Sequence, residues 1–130
     1  MKNADELEAW IVAYIEAQSV EKPVDPDHQC WWAVERFMDM NTLEQAEAGW
    51  RAILGIFGRR PPERVLSNLA AGPLEDLIHY WGPDFIDRIE KKAWEEVQFR
   101  NLLTGVWESG SAEIWNRVQL AMSGHRPMRM

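Results

Sequence analysis

Residues able to do chemistry are few in this chain, and they stand apart. Glu75 and His79 are four positions apart, with Asp76 beside the first. On a helix that spacing puts a carboxylate and an imidazole on one face, as a general-base pair or two metal ligands require. The same pair is an ordinary surface feature, and no third partner accompanies it in the sequence. Asp25, Asp27, His28 and Cys30 form a second group of metal-ligating types. Residues two apart on a helix point to different sides, and no second Cys or nearby His completes a tetrahedral set. Cys30 is the only cysteine, so it forms no intramolecular disulfide and reads as a small core residue. Gly-rich phosphate loops, nucleophile elbows and His-Glu-x-x-His motifs are absent. These observations assign no catalytic residue, no metal and no cofactor. A small metal-dependent or hydrolytic enzyme built on Glu75 and His79 ranks below the binding readings.

Charge is the stronger signal. The net charge of −7 is uneven: residues 1–50 carry eleven acidic and three basic side chains, and residues 51–100 carry eight of each. An acidic body repels phosphates, which disfavours direct binding of nucleic acid and favours a partner with a basic surface. The candidate acidic face comprises Asp25, Asp27, Glu35, Asp39, Glu44 and Glu47, with Asp5, Glu8 and Glu16 continuing it. A solvated face that keeps the protein in solution accounts for the same residues. Arg51, Arg59, Arg60 and Arg64 gather around one basic turn, open to a partner or to the acidic face of a second copy in a homodimer. Trp31 and Trp32 are neighbours about 100° apart on a helix, so one of them sits at the edge of the core as an interface anchor.

The elements that position these groups follow from apolar spacing. With 46% apolar residues and a length of 130, the chain can bury a core without staples. Leu7, Trp10, Ile11, Tyr14 and Ile15 define a first helix over 4–20. Asp25-Pro26 reads as N-cap and first turn of a second helix to Met40, with Cys30, Val34, Phe37 and Met38 inward. Thr42 and Gln45 have capping-box spacing ahead of Leu43, Ala46, Trp50, Ile53, Leu54 and Phe57. Gly58 ends that helix, and a fourth over 62–71 buries Val65, Leu66 and Leu69. Gly72-Pro73 and Gly82-Pro83 read as stops in the left-handed conformation, each followed by a restart. Leu74, Leu77, Ile78 and Trp81 line the fifth helix, and Phe85, Ile86, Ile89 and Ala93 the sixth. Phe99 to Trp107 mark the seventh, Ile114 to Met122 the eighth. The expectation is an all-α bundle of seven or eight amphipathic helices joined by Gly/Pro turns, one domain over 1–123 with a frayed tail over 124–130. Most of the eight tryptophans, including Trp10, Trp50, Trp81, Trp107 and Trp115, belong to the core. Neither a secretory signal nor a run of about 18 apolar residues appears, so a soluble, cytoplasmic protein with no membrane partner is expected.

Leu69–Glu90, with Phe99–Trp107 and Trp115-Asn116-Arg117-Val118, resembles a bacterial family of domains of unknown function. Its core looks like "AAGPLEDLL … FIDRIE … F…L.GVW … W.RV". Trp31–Glu35 and Trp50–Leu54 are similar upstream, while Glu96-Val97 departs from the Asp-Pro expected before Phe99. The resemblance implies a small helical protein and brings no activity with it. Size, acidity and the missing catalytic motifs point to a non-enzymatic module that binds, and inhibits, a basic partner, as an immunity protein or a phage anti-defence protein would. A self-associating structural or adaptor protein is the alternative.

Overall fold

Every regular element among the described residues is helical. The computed structural model describes residues 2–21 and 24–124, with the backbone alone at residues 2 and 3. It contains α1 (Lys2–Gln18), α2 (Trp31–Phe37), α3 (Leu43–Gly58) and α4 (Glu63–Leu69), then a π-helical turn (Ala70–Leu74), α5 (Glu75–Glu95), α6 (Val97–Leu103) and α7 (Ala112–Met122). No strand occurs among the described residues, so the chain is all-α, as its periodicity predicts. The backbone groups into two compact units, Met1–Leu69 and Ala70–Met130. The tail expected to fray lies, from residue 125 on, outside the described residues.

In the first unit α1 packs against α2, α3 and α4. Trp10, Ile11 and Tyr14 are buried as their stripe predicts, while Leu7 and Ile15 are half-buried. The Trp10 indole N–H donates to the Ala33 carbonyl of α2 at 2.8 Å, and its ring meets Phe37 at 4.5 Å. Tyr14 packs edge-on against the same Phe37 ring at 5.2 Å. Burial of its hydroxyl raises the phenol pKa, with the neighbouring Gln18 side chain opposing. Asn68 of α4 donates to the Gln18 side chain of α1 at 2.8 Å, and Arg59 ion-pairs with Glu8.

The second helix is shorter than expected. Asp25 does not cap it: its carboxylate accepts from the Asp27 amide at 2.9 Å, and His28 Nδ1 accepts from the Cys30 amide at 2.9 Å. Local side-chain bonds of this kind compete with helical ones and hold the segment in turns until Trp31. The helix also stops at Phe37, so Met38, expected inside, is 59% exposed, and Val34 is half-buried. The capping box of α3 forms as its spacing predicts. Thr42 Oγ1 accepts from the Gln45 amide, and Gln45 Oε1 accepts from the amides of Thr42 and Asn41. Leu43, first in the helix, projects beyond the core and is 46% exposed, whereas Ala46, Trp50, Ile53 and Phe57 are buried. Thr42→Ala should lower stability by about 1 kcal/mol in urea unfolding. An unchanged midpoint would mean that the cap contributes nothing.

The second unit corrects the Gly-Pro reading. Gly72 and Gly82 are not left-handed; the glycines with positive φ are Gly110 and Gly124. A π-helical turn absorbs Pro73, since its wider backbone ring tolerates a residue without an N–H. Pro83 lies inside α5, and the strain of its ring is relieved by a kink at Trp81, whose φ of −131° and ψ of 22° leave the helical region. The expected fifth and sixth helices are thus present as two helical segments that meet at this kink within α5, without the left-handed glycine expected between them. Gly82 is small for another reason: a Cβ there would lie 2.9 Å from Ile114 Cγ2 on α7. Gly110 does need its freedom, with φ of 78° and a would-be Cβ 3.2 Å from the Ile78 carbonyl oxygen.

Trp107 is also displaced from its expected place. α6 ends at Leu103, tight turns carry the chain through Gly105 and Val106, and Trp107 is 76% exposed. Its amide donates to Glu75 Oε1 at 3.0 Å, which holds the main chain while the indole projects outward. Leu77, Ile78, Phe85, Ile89, Phe99, Leu103 and Val118 form the buried centre of this unit.

Candidate functional site

The acidic residues of the first unit do not all share one environment. Asp25, Asp27, Glu35, Asp39 and Glu44 are exposed, but Glu47 is half-buried and interacts with other groups. Trp32 is the exposed member of the tryptophan pair at 42%, and Trp31 is half-buried. Trp32 and Glu35 lie on the exposed side of α2, and Met38 and Asp39 follow in the next turn. An indole and a thioether are therefore presented among carboxylates, with Asp25 and Asp27 in the turns just upstream.

The basic set separates. Arg59 is engaged by Glu8, while Arg60 and Arg64 are exposed. Arg60 has a φ of 50°, so the left-handed residue of this turn is Arg60 rather than Gly58. The turn continues into Pro61-Pro62, and a residue before proline is kept out of the right-handed region. Arg51 faces elsewhere, into a groove of about 260 Å³ shared with Glu6, Trp10, Arg36 and Glu44. The Arg36 guanidinium carbon lies 4.3 Å from the Trp10 ring centroid, a cation–π contact. Glu44 and Arg51, which sequence placed in opposite sets, line one concavity. Glu6 and Arg36 belonged to neither set. The available signal was Arg36 itself, one of three basic residues against eleven acidic ones in the first fifty.

The two chemical clusters are occupied by structural tasks. His28 Nδ1 accepts from the Cys30 amide, and the Cys30 thiol donates to Glu16 Oε2 at 2.7 Å. Burial first, and the adjacent Glu16 carboxylate second, push the Cys30 thiol up to about 11. No cluster of three or more His, Cys, Asp or Glu able to hold a metal occurs among the described residues. Glu75 accepts from the Trp107 amide, and the exposed His79 ring lies edge-on to Tyr80 at 4.5 Å. Burial and the neighbouring Glu75 raise the Asp76 carboxyl above the ordinary range, with His79 opposing.

One polar cluster, joining α5 and α7, is not among the candidates that the sequence singles out. Arg117 on α7 donates from Nε to Glu90 Oε2 at 2.9 Å and from Nη2 to Glu90 Oε1 at 2.6 Å, a fork on a carboxylate of α5. Nη2 also donates to Asp87 Oδ1 at 2.7 Å. Both carboxylates favour the charged guanidinium and raise its pKa. Glu90 is 8% exposed, and a buried carboxylate needs such a partner. These residues lie within the Phe85–Glu90 and Trp115–Val118 segments that carry the family resemblance, and their place in the fold is a clip between two helices.

No helix among the described residues is long and apolar enough to cross a membrane. A family model described as "Family of unknown function (DUF6869)" matches residues 20–126. No curated protein and no solved structure matches the chain.

Proposed function

Since the chain belongs to the DUF6869 family, whose function is unknown, we propose from its exposed chemistry a non-enzymatic acidic protein-binding module that docks on a basic partner and inhibits it. The observation that carries this reading is Trp32, 42% exposed on α2, with the exposed Glu35 one turn on and the exposed Asp39 just past the end of the helix. An aromatic side chain supplies contact area at low entropic cost, and surrounding carboxylates steer a cationic surface toward it. Carboxylates also reject acidic competitors, which suits an inhibitor with one dedicated target, such as a toxin or a nucleic-acid-binding defence protein. In cytoplasmic extract of the native host, the wild-type protein should capture a partner with a basic surface. Association should slow by about tenfold or more as salt rises. Glu35→Lys with Asp39→Lys should abolish capture, and Trp32→Ala should shorten its lifetime. A partner that is acidic, or that survives both charge reversals, would overturn the proposal. Self-association is the other reading, favoured by Trp107 and Tyr80, which are 76% and 69% exposed. Sedimentation at micromolar concentration separates the two, because the docking module remains a monomer.

A further inference from the structure

The groove between α1, α2 and α3 has a composition that a general solvated surface does not require. Two guanidinium groups, Arg36 and Arg51, and two carboxylates, Glu6 and Glu44, surround a concavity of about 260 Å³. Arg36 rests on the Trp10 ring, and that indole is 2% exposed and held by its bond to Ala33, so the cation has a fixed seat. None of Glu6, Glu44 and Arg51 makes an ion pair or side-chain hydrogen bond among the described residues. Opposite charges thus share one groove without satisfying each other. Glu44, Ala48 and Arg51 follow the spacing of one helical face, and seven residues of α-helix separate its two charged ends by about 10 Å. The apolar surface between those ends is Ala48, with Leu7 and Trp10 also lining the groove.

We propose that this groove binds a short peptide through both of its free termini, the carboxylate on Arg51 and the ammonium on Glu44, the two charged ends of the α3 face. Arginine forks are suited to carboxylates, and balanced charge in the groove discriminates against polyanions and polycations alike. Volume limits the ligand: about 260 Å³ is below the range of drug-sized pockets, which begins at about 300 Å³. Reach sets its length, because three extended residues span about 10 Å, matching the separation of the two poles on α3. The inference shares Glu44 with the acidic set and is separated from the docking reading by Arg51, which that reading does not use.

Triglycine is the probe, titrated calorimetrically into the full chain at low salt. Saturable binding at millimolar concentration or tighter is expected. Blocking either terminus, by N-acetylation or C-terminal amidation, should weaken it about tenfold. Glycine, with the same two charges too close together, should bind more weakly than triglycine. Arg51→Gln and Glu44→Gln should each reduce triglycine affinity by a similar factor with helicity unchanged, as both side chains are exposed. Arg51→Gln also removes a positive charge, so it should preserve capture of a basic protein and thereby separate the two sites. Equal binding of free and doubly blocked peptide, tighter binding of glycine, no heat at saturating probe, or unchanged binding by Arg51→Gln would each overturn the proposal.

Discussion

Glu90→Ala is expected to lower the stability of the protein by about 2 kcal/mol, with Asp87→Ala close to neutral. Both carboxylates contact the same guanidinium, so the contrast compares a buried two-bond partner with an exposed one-bond partner. The Glu90 side chain is 11% exposed and holds Arg117 by two bonds; the Asp87 side chain is 87% exposed and holds it by one. Removing Glu90 leaves Arg117 facing a void with only the exposed Asp87 as its counter-charge. Breaking a fully buried pair costs about 3–5 kcal/mol, but the Arg117 side chain is 35% exposed and regains water, which reduces the loss. Arg117→Lys should fall between the two, because an ammonium keeps the charge and loses the fork. Urea unfolding followed by helical circular dichroism measures all three. If Glu90→Ala and Asp87→Ala were equally mild, the clip between α5 and α7 would contribute no more than a surface ion pair.

The second large effect concerns the thiol. At pH 8 the native protein should react with iodoacetamide about 100-fold more slowly than the same chain in urea, because the thiolate is the reactive form. The shift from 9.0 to about 11 comes from burial and then from Glu16, so Glu16→Gln should restore part of the rate in the folded state. Linkage sets the sign of the accompanying pH dependence. The folded thiol holds its proton more tightly than the unfolded one, so its contribution to stability is complete below pH 9 and is lost as pH rises toward 11. Thiolate absorbance measured across that window separates a shifted pKa from simple steric shielding. A native thiol titrating at the unfolded value would remove the stated cause.

What was legible in the sequence was whatever local chemistry decides. The stripe Trp10, Ile11 and Tyr14 makes α1 bury one side whatever it meets, and both are observed. Thr42 and Gln45 sit three apart and satisfy each other's amides within one turn, so that cap needs no distant partner. Exposure of Trp32 rather than Trp31 was half legible: adjacency on a helix requires the two to diverge, but which one faces out depends on what α2 packs against.

Tertiary structure decided the rest, because the relevant forces act between residues far apart in sequence. Arg117 and Glu90 are 27 positions apart, and nothing in either segment shows that α7 will lie along α5. Gly82 is a glycine because Ile114 comes within van der Waals reach, not because its own φ demands it. Trp107 keeps the phase of a helix that has already ended, and a carboxylate from Glu75 redirects its main chain. The peptide groove is the plainest case. Glu6, Arg36, Glu44 and Arg51 come from three helices. Periodicity states which side of each helix is polar, but only packing brings those sides around a common space.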